Sequence, residues 1–247
     1  MDKLVYTAAT GLKAHLASQA AIANNMANAS TVGFRADRVV FDRLSLKGSP
    51  LETREPTSAD VLDADRATGA IQQTGRSLDV AMTGDSWLAV QSPDGKEAYT
   101  RRGDLQVAAS GVLQTGDGFI VQGQAGPITV PPHDSLTISA DGTISIVPQG
   151  GDAKNPQVLD RLKLVDTKGT ATLKGLDNLL RVKGGGTLPA NLDAKVQGGA
   201  LEGSNVNMTQ ALVDMIENQR SYEVQANLMK SAKDMDESST SVMRLPS

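Results

Sequence analysis

Residues 28–34 read NASTVGF, and this stretch predicts the end of a long N-terminal helix. Its Asn, Ser and β-branched residues have low helix propensity. Gly33 favours the left-handed backbone conformation that often follows the last turn of a helix. The segment before this stretch contains no proline, since the first proline of the chain is Pro50. The stretch therefore separates a helical beginning from a middle of different character.

Gly and Pro divide the remaining chain in the same way. The last glycine is Gly203, and no proline occurs between Pro189 and Pro246. Between Pro50 and Gly203 the two residue types recur every few positions. Because helix interiors exclude Pro and disfavour Gly, this distribution predicts a helix, then a long region of strands and loops, then a second helix.

Apolar residues at both ends recur in steps of three and four, the spacing of one narrow helical face. The N-terminal stripe contains Val5, Ala9, Leu12, Leu16, Ala23 and Met26, with Gln19 as a polar member. The C-terminal stripe contains Met208, Leu212, Met215, Tyr222, Ala226, Met229 and Met243, with Gln219, Lys233, Asp236 and Thr240 as polar members. Two interpretations are open: a helical bundle within one subunit, or two ends that pair with each other and then with neighbouring subunits.

The length of the second helix favours contacts beyond the chain. A helix from Met208 to about Arg244 would extend roughly 55 Å at about 1.5 Å per residue. A domain of this size cannot cover such a rod along its whole length. The C-terminal helix is therefore expected to meet another helix.

Short β-rich runs separated by Asp-Gly pairs fill the middle of the chain. These pairs are Asp94-Gly95, Asp117-Gly118 and Asp141-Gly142. Asp-Gly between alternating apolar residues is a strong hairpin signal, and no strand alternates with a helix. We predict an α+β fold in which paired, coiled-coil-like N- and C-terminal helices flank a central antiparallel β-rich domain. The expected parts are an N-terminal helix in 1–34, a connector or small subdomain in 35–70, the β-rich domain in 71–204 and a C-terminal helix in 205–247.

Composition excludes several function classes. Of the 247 residues, 39% are hydrophobic and 21% are charged, which is ordinary for a folded protein. The net charge of −4, with no basic run, argues against a nucleic-acid partner. No stretch approaches the roughly 20 apolar residues of a membrane span. The absence of Cys excludes disulfides and thiolate chemistry.

Candidate catalytic groups are few. The two histidines are His15, on the predicted N-terminal helix, and His133, in a Pro-rich loop, and no Gly-x-Ser-x-Gly motif accompanies them. The carboxylates of Asp63, Asp65 and 234–237 fall on segments expected to be solvated, whereas a catalytic acid needs desolvation. We predict no catalytic residue, no cofactor and no metal site, and we do not expect an enzyme.

Two segments at the helix boundaries carry a recognisable pattern. The first comprises 22–28 (IANNMAN), Thr31 and 33–35 (GFR), and the second comprises 201–207 (LEGSNVN), 215–216 (MI) and 219–223 (QRSYE). The first segment resembles the N-terminal signature of the flagellar rod and hook protein family, and the second is similar to that family's closing helix motif. The family usually has Leu where this chain has Met26, and often Lys where it has Arg35.

The middle of the chain refines the resemblance. Residues 76–81 (RSLDVA), 87–90 (WLAV) and 99–101 (YTR) resemble the β-domain that rod and hook proteins share. The chain length, the opening Met-Asp-Lys and the run from 27 to 36 look more like the proximal-rod members than the distal-rod members.

The resemblance implies a structural subunit of the proximal rod that transmits motor torque. The implied partners are copies of itself, other proximal and distal rod proteins, surrounding ring proteins, and the type III export apparatus in transit. The implied location is the periplasmic part of the basal body, reached without a cleaved signal peptide. The expected assembly residues are Leu12, Leu16, Ile22, Asn24, Asn25, Met26, Asn28, Thr31, Gly33, Phe34, Leu201, Ser204, Asn205, Leu212, Met215, Ile216, Gln219, Tyr222 and Met229.

The sequence leaves three alternatives to a proximal-rod subunit. A distal-rod or hook-type subunit of the same family is the nearest alternative. A secreted glycan-binding or hydrolytic β-protein would need a polar cleft with perturbed carboxylates. A fibrous adhesin stalk would need tandem repeats, and the chain shows no internal repeat at any period.

Overall fold

The computed structural model describes residues 2–43, 57–152 and 154–243 of the chain. The chain divides into two compact units. Unit 1 comprises residues 1–27, 37–62 and 207–247, and unit 2 comprises residues 28–36 and 63–206. Within the expected connector, Pro50 and Pro56 lie outside the described residues.

Unit 1 contains the two helices, α1 (Asp2–Ala27) and α2 (Met208–Met243), together with strand β1 (Asp37–Arg43) and most of strand β2 (Thr57–Ala64), which pairs with β1. Helix α1 ends where the NASTVGF stretch begins, as predicted. Helix α2 begins after Asn207, whose side-chain Oδ1 accepts hydrogen bonds from the backbone N–H groups of Thr209 at 3.1 Å and Gln210 at 3.2 Å. This contact caps two amide groups that otherwise have no partner within the helix.

Helices α1 and α2 pack against each other and run antiparallel. The contact moves forward along α2 from Asn218 to Gln225 as it moves back along α1 from His15 to Gly11. Among the helical residues whose side chains the structure describes, the buried ones are alanines rather than large aliphatic residues. They are Ala8 and Ala21 on α1, and Ala211 and Ala232 on α2.

Unit 2 is built from short antiparallel strands. Its largest sheet has eight strands, in the order β14-β15-β6-β5-β9-β8-β7 with β13 pairing to β5, beside a three-stranded sheet β10-β11-β12 and two small ladders, β16-β4 and β17-β3. The strands are β3 (Ile71–Gln73), β4 (Val80–Met82), β5 (Ser86–Gln91), β6 (Glu97–Thr100), β7 (Leu105–Val107), β8 (Leu113–Thr115), β9 (Ile120–Val121), β10 (His133–Ile138), β11 (Thr143–Pro148), β12 (Gln157–Arg161), β13 (Leu164–Asp166), β14 (Thr172–Lys174), β15 (Leu180–Val182), β16 (Val196–Gly198) and β17 (Ala200–Glu202).

The predicted hairpin turns are confirmed. Gly95, Gly118 and Gly142 have φ values of 77°, 87° and 84°, and each lies in the turn between two paired strands. A side chain is strained in this left-handed region, which explains glycine at the second position of each Asp-Gly pair.

The main core of unit 2 is almost wholly aliphatic. Fully buried members come from most strands of the large sheet and from the three-stranded sheet, and a smaller second cluster gathers around Trp87 and Tyr99. The α+β class, with a helix at each end and an antiparallel β-rich middle, is confirmed. The coiled-coil-like character of the helix pairing stays a prediction.

Candidate functional site

The two segments that resemble family signatures meet in unit 2, and we call this meeting point the terminal junction (residues 31–36 and 201–205). The N–H group of Gly33 donates to the carbonyl oxygen of Glu202 at 2.7 Å, and that of Asn205 donates to the carbonyl of Phe34 at 3.3 Å. The side chain of Asn205 accepts from the N–H of Ala36 at 2.7 Å and donates to the carbonyl of Ala67 at 2.9 Å. The early and late parts of the chain are thus hydrogen-bonded to each other.

A buried ionic cluster lies at the centre of the terminal junction. The carboxylate of Glu202 meets Arg35 Nη2 at 2.6 Å through Oε1, and Arg101 Nε at 2.9 Å through Oε2. The side chains of Arg35, Arg101 and Glu202 are 3%, 1% and 2% exposed. Charges this deeply buried are tolerated only when they are paired and hydrogen-bonded. Glu202 is therefore the counterion on which two buried cations depend.

Further contacts complete the cluster. The N–H of Gly69 donates to Glu202 Oε1 at 2.9 Å, and Arg101 Nη2 donates to the carbonyl of Gly84 at 2.8 Å. Both guanidinium groups also lie near the Trp87 ring, at 5.9 Å for Arg35 and 5.8 Å for Arg101, within the range of cation–π attraction. Burial lowers the pKa of Arg35 and of Arg101, and the negative charge of Glu202 opposes this change.

A third buried cation, Lys174, holds the early segment in place. Lys174 Nζ lies 3.8 Å from the centroid of the buried Phe34 ring and donates to the carbonyl oxygen of Arg35 at 2.7 Å. Phe34 is thus enclosed within unit 2. This explains why residues 28–36 group with unit 2, whereas the sequence placed residues up to 34 with the N-terminal helix.

Glycine at position 33 is required by the closeness of two backbone segments. Gly33 has a φ of 66°, and a Cβ atom there would lie 2.4 Å from the backbone carbonyl carbon of Arg101. Gly75 has a similar φ of 74°, but a Cβ there would meet nothing within 4 Å. Comparing substitutions at these two positions therefore separates the energetic cost of backbone strain from that of steric conflict.

We expect Gly33→Ala to destabilise unit 2 clearly more than Gly75→Ala. Both changes carry the cost of a left-handed alanine, about 1–2 kcal/mol, but only the first also forces backbone apart. Urea unfolding followed by the fluorescence of Trp87 measures the difference. Equal losses for the two variants would show that the close approach at position 33 has no energetic weight.

The three asparagines near the end of α1 hold local structure together. Asn25 Oδ1 accepts from the N–H of Asp37 at 2.7 Å, and Asn25 Nδ2 donates to the Asp37 carbonyl at 3.1 Å. Asn24 Nδ2 donates to Asp37 Oδ2 at 2.5 Å. Asn28 Oδ1 accepts from the hydroxyl of Thr31 at 3.1 Å. These contacts tie the end of α1 to the start of β1 within unit 1, and separately order the turn that opens unit 2.

The other expected assembly residues fall into two groups. Phe34 is buried within the terminal junction, and Leu201, Ser204 and Asn205 are half-buried there. The helical residues lie at the surface or only half-buried, and those that are exposed include Leu16, Leu212, Ile216, Gln219 and Tyr222. The structure thus brings the motif residues of unit 2 together, while none of these helical residues is fully buried.

Sequence reasoning missed two features. It did not single out Arg101 or Glu202 as partners of Arg35, although a charged residue beside an apolar strand is a usable signal. It also missed exposed aliphatic residues of α2 that lie off the predicted stripe. Val224 and Leu228 are two of them. Together with Leu212 and Ile216 they form a row spaced by multiples of four residues, which we call the outward row. The exposed fractions along this row are 46% for Leu212, 51% for Ile216, 61% for Val224 and 55% for Leu228.

Neither a metal site nor a membrane span is found in the described part of the chain. Within residues 2–43, 57–152 and 154–243, no three His, Asp or Glu side chains are grouped so as to hold a metal ion. Among the same residues, no helix combines the length and the apolar character needed to cross a bilayer.

Comparison with known proteins matches the chain along nearly its whole length. Three family models match: "Flagella basal body rod protein" over residues 5–35, "Flagellar hook protein FlgE/F/G D1 domain" over 81–146 and "Flagellar basal body rod FlgEFG protein C-terminal" over 197–242. The first and third cover the two signature segments, and the second begins within the small ladder of unit 2.

Individual relatives agree with the family models. The chain is 42% identical to the flagellar basal-body rod protein FlgF of Escherichia coli, over 95% of each chain, and 40% identical to FlgF of Salmonella typhimurium, over 94% of each. It is 32% identical to the rod protein FlgG of Buchnera aphidicola from Acyrthosiphon pisum, over 92% of this chain and 94% of the relative. The chain therefore belongs to the flagellar basal-body rod protein family.

Proposed function

We propose that this chain is a structural subunit of the proximal rod of the bacterial flagellar basal body, without catalytic activity. The proposal is supported by the identity to FlgF of Escherichia coli and of Salmonella typhimurium, 42% and 40%, which is higher than the 32% identity to FlgG of Buchnera aphidicola. This difference also favours a proximal-rod subunit over the distal-rod or hook-type alternative. No observation on the described residues favours a glycan-binding or hydrolytic protein.

The observation that carries the proposal is the outward row of α2. The helix turns alanines toward α1 and leaves Leu212, Ile216, Val224 and Leu228 about half exposed or more. Full burial of such a side chain is worth about 1.5–3 kcal/mol, so covering even the exposed part of four of them gives a partner helix several kcal/mol. Rows spaced by four residues are the ridges that enter the grooves of a neighbouring helix. The row is therefore suited to helix packing between subunits.

The proposed partners follow from family membership. They are copies of this chain and other proximal and distal rod proteins, with ring proteins outside the rod. The type III export apparatus would carry the chain to the periplasmic part of the basal body. The helices α1 and α2 would pair in a coiled-coil-like manner.

The expected assembly residues then divide into two roles. Leu16, Leu212, Ile216, Gln219 and Tyr222, which are exposed, would contact neighbours directly. Leu12, Ile22, Met26, Met215 and Met229 would support them from half-buried positions. The residues of the terminal junction would act on assembly indirectly, because they hold the two chain ends at fixed points of unit 2.

Deletion of the residues after Met208 tests this proposal. We expect the truncated chain to abolish rod assembly and swimming in a host that lacks its own copy, because the outward row and the partner of α1 are both removed. Unit 2 should remain folded, since its strands and the terminal junction lie before the deletion. Fluorescence of Trp87 and resistance of unit 2 to protease serve as the control for folding. Swimming by the truncated strain would contradict a role in helix-based assembly.

A further inference from the structure

We propose that a reciprocal pair of hydrogen bonds between His15 and Asn218 sets the register at which α1 packs against α2. The Nδ1 atom of the His15 ring lies 2.8 Å from Asn218 Oδ1, and Asn218 Nδ2 donates to the backbone carbonyl of His15 at 3.0 Å. Because an amide oxygen only accepts, the His15 ring carries its proton on Nδ1 and donates it. Both polar ends of the Asn218 amide are thus used by one residue of the other helix.

The rest of the contact between α1 and α2, which we call the seam, discriminates poorly between registers. Its buried side chains are alanines, and α1 is rich in further alanines at neighbouring positions. A slip of one turn would bring Ala17 to the place that Ala21 occupies and Leu4 to the place of Ala8, so the slipped seam would still be apolar. Apolar contact is non-directional and depends mainly on area, so it selects a register less sharply than a directional hydrogen bond does. Directional groups are needed to select one of them.

The hydrogen bonds between His15 and Asn218 are directional and can therefore select one register. In the register that brings Ala17 to the place of Ala21, Asn218 would face Gly11, which has no side chain that could donate to Asn218 Oδ1. In the opposite slip Asn218 would face Gln19, which can donate, but the polar Asn25 would then take the place of the buried Ala21. Asn218 is half-buried, so its amide would be less fully hydrogen-bonded in a displaced register, which favours the observed one. Single polar residues in helix seams are known to fix register in this way, at some cost in stability.

A second contact agrees with the same register. The amide of Gln225 rests on Gly11, where a Cβ atom would lie 2.1 Å from Gln225 Nε2. The space exists because position 11 has no side chain. In a register displaced by one turn a side chain of α1 would fill it and the Gln225 amide would have to move. The long Gln side chain can adjust, so we assign this contact a supporting role and His15–Asn218 the main one.

The test measures register directly by the distance between two spin labels on the full-length chain. The chain contains no Cys, so Lys13→Cys and Ser231→Cys, both at exposed positions, give two unique labelling sites. Residue 13 lies level with about residue 221, so the two labels are offset along the helix axis and a slip changes the distance between them. Pulsed electron–electron double resonance on this doubly labelled chain, which we call the parent, should give one dominant distance between the labels. A slip of one helical turn moves the labels by about 6 Å along the helix axis.

Two variants then remove the polar pair in different ways. The double change His15→Leu with Asn218→Leu should keep or raise the helix content and thermal midpoint, because apolar groups replace a polar pair. It should nevertheless split or broaden the distance distribution. Asn218→Ala should broaden the distribution as well, at lower stability. The control Asn227→Leu, at an exposed position of the same helix, should leave the parent distance unchanged.

The outcomes separate cleanly. Broadening in both variants, with helix content retained in the double leucine variant, supports the proposal, because a merely structural pair would lower stability without changing register. Retention of the parent's single distance in either variant overturns it. A parent without a dominant distance overturns it too. None of these outcomes depends on whether the chain assembles into a rod.

Discussion

Glu202→Ala is expected to lower the free energy of unfolding of unit 2 by about 3–5 kcal/mol, the loss that follows when one partner of a buried ion pair is removed. The change leaves Arg35 and Arg101 buried with no carboxylate between them. It also removes the acceptor for the Gly69 N–H. A loss of this size is a large part of the stability of an ordinary domain.

Urea unfolding followed by tryptophan fluorescence measures this effect. The chain has one tryptophan, Trp87, and its ring lies beside both guanidinium groups, so the signal reports on the cluster itself. Asp193→Ala removes an exposed carboxylate of the same unit and should change stability by less than about 0.5 kcal/mol. Glu202→Gln, which keeps shape but not charge, should fall between the two. If Glu202→Ala unfolds at the same urea concentration as Asp193→Ala, the cluster contributes nothing to stability.

Ile216→Asp is expected to abolish swimming while leaving the stability of the isolated chain nearly unchanged. Ile216 is the second member of the outward row and is half exposed, so aspartate meets water in the free chain. In an assembled rod it would place a charge in an apolar contact between helices, where removal from water costs several kcal/mol. The result should be a stable chain that cannot be incorporated.

Swimming in soft agar and recovery of the chain in isolated basal bodies check this prediction. Ser221→Asp adds the same charge five residues further along α2 and on another side of the helix, at an exposed position. Circular dichroism of both purified variants shows whether α2 still forms. Normal swimming with Ile216→Asp would mean that the outward row is not an assembly contact, whereas equal loss with Ser221→Asp would show that added charge alone is harmful.

Local signals allowed much of the fold to be predicted. The end of α1 follows from NASTVGF, and the hairpins follow from Asp-Gly pairs whose glycines adopt positive φ. The terminal junction could not be predicted in the same way. Arg35, Arg101 and Glu202 are distant in sequence, and no nearby residue indicates which cation a buried carboxylate will meet. Only the fold brings them within hydrogen-bonding distance.

The face of α2 that packs against α1 was harder to predict, for a different reason. Helix α2 has apolar residues on more than one side, and periodicity alone does not tell which side meets α1. The predicted stripe through Leu212, Met215 and Tyr222 gave weight to large side chains, whereas the seam buries Ala211 and Ala232. Small side chains allow two helix backbones to approach closely, and this leaves several bulky residues on the outside.

The position of Glu202 along the chain has a consequence for the timing of folding. A ribosome synthesises Arg35 and Arg101 well before Glu202, so for most of the synthesis both cations lack the anion that permits their burial. Strand β17, which carries Glu202, also closes the small ladder with β3 only at this late stage. Native contacts between such distant residues form slowly, because a long loop must close first. The nascent chain should therefore remain incompletely folded until nearly all of it has been synthesised. It should become compact only afterwards.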